Sequence, residues 1–262
     1  MKLSISNIAW DNENNKDVYS LMKRYGYTGL EIAPTKIIPE SPYDCLETAK
    51  KWSTDLEQEY EISISSMQSI WFGRGEKLFG THEERKVLKE YTKKAIDFAN
   101  VIGCKNLVFG CPRNRNVESE MSTDCAIDFF GELGDYAYKN GTVIGMEANP
   151  TIYNTNYVNE TMQAIELIRK VNSKGFLLNL DLGTIIQNDE DISELTGNVH
   201  LINHVHISEP GLKPIQNRDI HTSLKKILIK ENYQGYISIE MGTINDLSVI
   251  ENTLKYVEEV FR

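Results

Sequence analysis

Four apolar runs in the second half of the chain each finish on a side chain able to bind a metal: TVIGME (Thr142–Glu147), FLLNLD (Phe176–Asp181), LINHVH (Leu201–His206) and YISIE (Tyr236–Glu240). The terminal residues are separated by 34, 25 and 34 positions, each interval close to one strand, one helix and two short loops. That rhythm brings the four strand ends to one rim of a parallel sheet, so Glu147, Asp181, His206 and Glu240 are expected to converge. Three carboxylates and one imidazole, with no thiolate, suit six-coordinate Mn²⁺, Mg²⁺ or Co²⁺, with catalytic Zn²⁺ as a further choice.

The rest of the chain continues the same alternation. Strands are expected at Leu3–Ala9, Tyr27–Ala33, Glu61–Gln68 and Lys105–Gly110, before the four runs above. Helices are expected over Val18–Gly26, Tyr43–Tyr60, Glu83–Ile102, Thr123–Lys139, Val158–Val171, Thr222–Lys230 and Asp246–Phe261, with a short one in the acidic NDEDISELTG. In the longest, Val87, Tyr91, Ala95, Phe98 and Ile102 mark the apolar face. Eight strand–helix units in sequence imply right-handed crossovers and closure into a (β/α)8 TIM barrel, an α/β fold forming one domain over residues 1–262. No GxGxxG follows the first strand, which removes the commonest signature of the open doubly wound alternative.

Composition narrows the partners. The 38 acidic and 28 basic residues leave a formal charge of −10, and no basic block is available for phosphate runs, which argues against nucleic acid. Cys45, Cys104, Cys111 and Cys125 show no CxxC spacing and read as reduced thiols. With no apolar run of membrane-spanning length and no recognisable leader in Met1–Trp10, a cytoplasmic protein with no membrane partner is expected. Homo-oligomerisation stays open.

GMEANP, LNLDLGT, HVHISE and SIEMG, in this order and spacing, resemble the sugar phosphate isomerase/epimerase superfamily of xylose-isomerase-like TIM barrels. The likeness covers nearly the whole chain. GLEIAPTK, QSIWFG and LVFGCPRNR also look like segments of that superfamily, with ketose 3-epimerases and hydroxypyruvate isomerase-like proteins among its members. The resemblance implies a metal-dependent isomerase or epimerase acting on a small carbohydrate. Its metal ligands would be Glu147, Asp181, His206 and Glu240, with Glu147 and Glu240 doubling as an acid/base pair. An inosose dehydratase-like activity, or a sugar-binding barrel without turnover, is the alternative. DNA-repair endonucleases share this barrel but use many histidines, and this chain has five.

The chemistry can be reasoned independently. A divalent ion on a ketose carbonyl and its neighbouring hydroxyl would stabilise an enediolate, and two carboxylates on opposite faces could remove and return the proton. Around this centre Trp10, Glu31, Gln68 and Asn149 follow or end strands and are expected at the barrel mouth. Arg113 and Arg115 are candidates to hold a substrate anion. His204, two residues before His206, is expected on the same strand face, supporting Glu147 or Asp181 or simply packed in the core. Glu209 is a candidate substrate contact. The ketose 3-epimerases that the chain resembles carry His three residues after the Asp ligand, where this chain has Thr184. They also carry Arg after the His ligand, where only Lys213 is on offer.

Overall fold

The computed structural model describes residues 1–118 and 122–262. Eight strands close into a barrel in sequence order, β1 beside β8, every adjacent pair parallel. They are β1 (Lys2–Ser6), β2 (Gly29–Ile32), β3 (Ser63–Met67), β4 (Leu107–Phe109), β5 (Ile144–Met146), β6 (Phe176–Asp181), β7 (Ile202–Ser208) and β8 (Tyr236–Glu240). Parallel pairing obliges a crossover after each strand. These are supplied by α1 (Asn15–Arg24), the single turn α2 (Pro34–Ile37), α3 (Leu46–Tyr60), α4 (His82–Val101), α5 (Asp124–Lys139), α6 (Thr161–Val171), α7 (Leu182–Asn188), α8 (Asp219–Lys230) and α9 (Leu247–Phe261). Among the described residues no helix is long and apolar enough to cross a membrane.

Local chemistry explains where these elements depart from the sequence expectation. The first strand stops at Ser6, whose hydroxyl turns back to accept from Ile8 N–H and opens a 3-10 turn over Asn7–Ala9. Val158 holds a left-handed φ of 56°, so α6 starts only at Thr161. The acidic stretch is not the helix after β6. That helix is α7, entered directly from the strand because Asp181 caps it by accepting from Thr184 N–H at 2.8 Å. The acidic stretch keeps only a 3-10 turn, Ile192–Leu195, capped by Asp191. In α4, Leu88, Thr92, Ala95, Ile96, Phe98 and Ala99 are buried, as is Ile102 at its end. The expected face is thus kept at Ala95, Phe98 and Ile102, widened by Leu88, Thr92, Ile96 and Ala99, and lost at Val87, which is 41% exposed. The Thr81–Glu84 capping box sets where that helix starts.

The strands alternate inside out. Leu3, Ile5, Leu30, Ile32, Val205, Ile207, Ile237 and Ile239 belong to the apolar core shared with the helices. Their neighbours Ser4, Ser6, Glu31, His204, His206, Ser208 and Ser238 are buried polar residues. Burying a polar atom unpaired is costly, and a hydrogen-bond network links many of them: Ser4 to Ser65 at 2.6 Å, Asn106 to Ser66 at 3.0 Å, Asn106 to Asn179 at 3.1 Å and Gln68 to Ser6 at 2.6 Å, while Ser238 Oγ has no partner among the described residues. Helix and sheet meet tightly at Gly175, where a Cβ would fall 2.0 Å from the Gly134 carbonyl. Beside it the Phe130 and Phe176 rings stack at 4.7 Å.

The last two helices are joined by His221, in the first turn of α8 and fully buried. Tyr256 of α9 accepts from Arg218 N–H at 3.1 Å, so its own hydroxyl proton is left for His221 Nδ1, 2.7 Å away. Burial pushes the His221 pKa down to about 4. Below the ordinary value of about 6.5 the unfolded chain therefore takes up a proton that the folded chain refuses, and stability falls as the pH drops from there toward 4. Thermal denaturation from pH 7 to 4 should show this loss, at no more than about 1.4 kcal/mol per pH unit from this group. His221→Asn should have a shallower slope, and an unchanged slope would exclude His221 as the source.

Candidate active site

The strand ends deliver the site. Glu147 directly follows β5, Asp181 and Glu240 are the last residues of β6 and β8, and His206 lies in β7. Between Leu178 and Asn179 the β6–β7 register shifts, which sets Asp181 level with His206; Ser208 is level with Glu240. One ligand atom each from Glu147, Asp181, His206 and Glu240 lie within 4.8 Å of one another. His206 Nδ1 stands 3.0 Å from Glu147 Oε1 and 3.2 Å from Glu240 Oε2. Its other nitrogen, Nε2, is 2.8 Å from Glu31 Oε2. That contact keeps a proton on Nε2 and aims Nδ1 at the carboxylates.

Each carboxylate is oriented by neighbours. Asn179 donates to Glu147 Oε1 at 2.8 Å and Asn149 to Oε2 at 3.0 Å. Ser208 donates to Asp181 Oδ1 while accepting from Gly183 N–H at 2.8 Å. Thr184 Oγ1 lies 2.8 Å from both Asp181 Oδ2 and the Ala148 carbonyl, and can donate to one at a time. Below them Glu31 is fully buried. Gln68 donates to its Oε1 at 3.1 Å. His204 Nε2 approaches its Oε2 to 3.2 Å, off the hydrogen-bond axis.

The charge balance favours a cation. Burial raises the Asp181 pKa, and the Glu147 charge adds to it. Burial, opposed by His206, pushes Glu240 up to about 7. Burial would raise Glu31 too, but His206 and His204 reverse it and hold that carboxyl well below the usual range. His206 is raised well above the ordinary histidine value in spite of burial, chiefly by Glu31 and Glu240. Carboxylates packed together this way resist ionising unless positive charge joins them. A divalent ion among the four ligand atoms would supply that charge, with Nδ1 giving up its proton to coordinate. Space is kept for the cluster at Gly110, where a Cβ would sit 2.8 Å from Glu147 Oε2 and 3.3 Å from Asn149 Oδ1.

Above the cluster opens a cavity of about 650 Å³ lined by Glu147, Asp181 and Glu240 together with Gln68, Trp71, Phe72, Arg113, Asn149, Tyr153, Ser208 and Leu212. Three non-glycine residues on its wall, Ser69, Cys111 and Leu212, hold left-handed φ of 55°, 45° and 54°. Such strain gathers where a site fixes its backbone. Of the residues expected at the mouth, Gln68, Asn149 and Arg113 line this cavity, and Glu31 and Thr184 lie beneath it. Trp10 does not reach it: the ring is fully buried and its indole donates to Asn15 at 2.8 Å. Glu209, 2% exposed, is taken by Arg218 through two bonds of 2.8 and 2.6 Å, so it shapes the loop after β7. Lys213 is exposed and off the wall. Arg115 is fully buried and donates to the carbonyls of Glu147 and Val158 at 2.8 and 3.2 Å, bracing the rim from behind. His204 faces Glu31. Tyr153 and Leu212, loop residues with no spacing signature, become visible only in three dimensions.

The sequence model of the xylose isomerase-like TIM barrel family matches residues 19–260. The chain belongs to this family. Solved structures share the family's barrel over their full length. A 3-keto-D-glucoside 4-epimerase from E. coli is 20% identical with a TM-score of 0.76, covering 99% of each chain. A D-psicose 3-epimerase from Clostridium cellulolyticum is 14% identical with a TM-score of 0.78, covering 100% of each. A protein described as AP endonuclease, family 2, from Brucella melitensis is 16% identical with a TM-score of 0.71, covering 99% of this chain and 96% of that one. At these identities the likeness establishes the fold. No curated protein matches the sequence.

A cluster of buried carboxylates should be stabilised when a divalent cation enters. Thermal unfolding at neutral pH should shift upward by several degrees with Mn²⁺ or Co²⁺ relative to a chelator-treated sample. The shift should vanish in Asp181→Asn. An unchanged melting curve with every divalent ion tried would remove the metal from this centre.

Proposed function

We propose that this family member is a divalent-metal-dependent isomerase or epimerase of a small sugar or sugar-derived polyhydroxy carbonyl compound, residues 1–262 acting as one domain. The observation that carries this reading is the pair Glu147 and Glu240. They reach the cavity floor from β5 and β8, with two strands between them, and flank the same imidazole nitrogen at 3.0 and 3.2 Å. The similar folds of a 3-keto-D-glucoside 4-epimerase, a D-psicose 3-epimerase and an L-ribulose 3-epimerase add support. Glu147, Asp181, His206 and Glu240 would hold Mn²⁺, Mg²⁺ or Co²⁺, with Zn²⁺ also compatible. Bound there, the ion would polarise a substrate carbonyl and acidify the adjacent C–H.

The side chains perform the rest. Glu147, fixed by Asn179 and Asn149, presents a carboxylate oxygen to a proton on one side of the reacting carbon. Glu240, whose Oε2 lies 3.2 Å from the same imidazole nitrogen, would present the second carboxylate to the other side of that carbon. Removal by one carboxylate and return by the other inverts the carbon, which is epimerisation. Return by the same carboxylate to the neighbouring carbon gives aldose–ketose isomerisation. Gln68, Asn149 and Arg113 line the cavity and would meet substrate hydroxyls.

Solvent deuterium exchange into D-psicose, D-fructose and related keto sugars, followed by NMR, tests the two-carboxylate step. Glu147→Gln and Glu240→Gln should each lose at least about 100-fold in rate; wild-type exchange in either variant would sink the assignment. Glu31→Gln is expected to act differently. By loosening the hold on His206 it should weaken Mn²⁺ affinity by about 10–100-fold in calorimetric titration, with turnover recovering at saturating metal.

A further inference from the structure

We infer that the outer part of the cavity is a subsite for the apolar aglycone of a glycoside, so that the substrate is a keto sugar ring carrying an O-linked alkyl or aryl group. This rests on the proposed reading of the carboxylate floor and specifies its substrate class. Size gives the first reason. The cavity measures about 650 Å³, whereas a free hexose displaces about as much as six or seven waters, roughly 200 Å³ at ~30 Å³ each. A single ring seated on the floor leaves most of the volume unfilled.

The walls above the floor give the second reason. Trp71, Phe72, Pro112 and Leu212 line the space. Phe72 is 67% exposed, so its ring presents apolar surface that an aromatic or alkyl group could cover. Leu212 is kept in a left-handed conformation by tethers on both sides. Gly211 N–H donates to the Tyr153 hydroxyl at 3.0 Å, and Gly242 N–H donates to the Leu212 carbonyl at 2.8 Å. That geometry is costly for leucine and is spent on holding an apolar side chain over the cavity. The Tyr153 oxygen, already accepting from Gly211, keeps its proton for a sugar or glycosidic oxygen.

Charge gives the third reason, by weighing against a phosphorylated substrate. Arg74 is paired with Glu76 and stacks on Tyr91 at 4.9 Å. Arg115 is committed to backbone carbonyls, and Lys213 lies off the wall. Among the described residues Arg113 is the cation left facing the cavity, at its exposed rim. One exposed guanidinium is a weak holder for a dianion whose usual sites combine several donors.

The test compares ligands by calorimetry on the Mn²⁺-loaded protein, which requires no turnover. Phenyl β-D-glucopyranoside should bind at least 10-fold tighter than methyl β-D-glucopyranoside, and D-glucose 6-phosphate no tighter than D-glucose. Phe72→Ala and Leu212→Ala should each reduce the phenyl-to-methyl ratio toward one while leaving methyl glucoside binding unchanged. Equal affinity for the two glucosides, absence of binding by either, or a preference for the phosphate overturns the subsite. A protein that shows the phenyl preference yet exchanges no deuterium with keto sugars or keto glycosides keeps the subsite and loses the proton-transfer reading. Exchange in free ketoses without a phenyl preference does the reverse.

Discussion

The contact between Glu31 and His206 is the constraint on which the rest of the barrel depends. A carboxylate with no solvent access is expensive unless opposite charge and hydrogen bonds surround it. Glu31 has both, from His206 and Gln68. Because Glu31 fixes one nitrogen of His206, the other points upward, and the three carboxylates above gather around it. The whole stack, from buried carboxylate to imidazole to acid cluster, behaves as one electrostatic column along the barrel axis. Its top is short of positive charge, and the cavity opens there.

A column of this kind leaves little room for an aliphatic barrel centre. The familiar TIM barrel fills its lumen with layers of branched side chains; here much of the lumen is serine, asparagine and histidine joined by hydrogen bonds. The hydrophobic effect must then be supplied by the annulus between strands and helices. The nearly complete burial of Leu3, Ile5, Ile207, Ile237 and Ile239 shows where it is supplied. Packing on the outside and hydrogen bonding on the inside are thus separate tasks, assigned to alternate residues of the same strands.

That separation explains what could be read from the sequence. The period-two pattern of LINHVH and YISIE and the 25- to 34-residue spacing are local signals, and they located the strands, the closure and the four converging side chains. Glu31 could be placed at the mouth by its strand position, yet its depth was hidden because its partner lies 175 residues away. Trp10 and Lys213 mislead for a related reason. The residue after a strand can turn into the core or out to solvent, and the choice is made by loops: Asn15 captures the Trp10 indole, and Arg218 folds the segment around Glu209. Val158 and Leu212 adopt left-handed backbone that no propensity favours, so the delayed start of α6 and the leucine on the cavity wall were invisible in one dimension.

The buried guanidinium of Arg115 is one of a series of loop-to-loop bonds around the rim. Asn114 donates to the carbonyls of Arg74 and Glu76, Arg115 to those of Glu147 and Val158, Gly211 to Tyr153, and Gly242 to Leu212. Followed in order, they lead from the loop after β3 to the loop after β8, so the mouth is braced like a hoop. Changing a side chain on such a hoop alters what the pocket touches and leaves its outline in place. Lengthening any one loop would pull on the neighbours to either side.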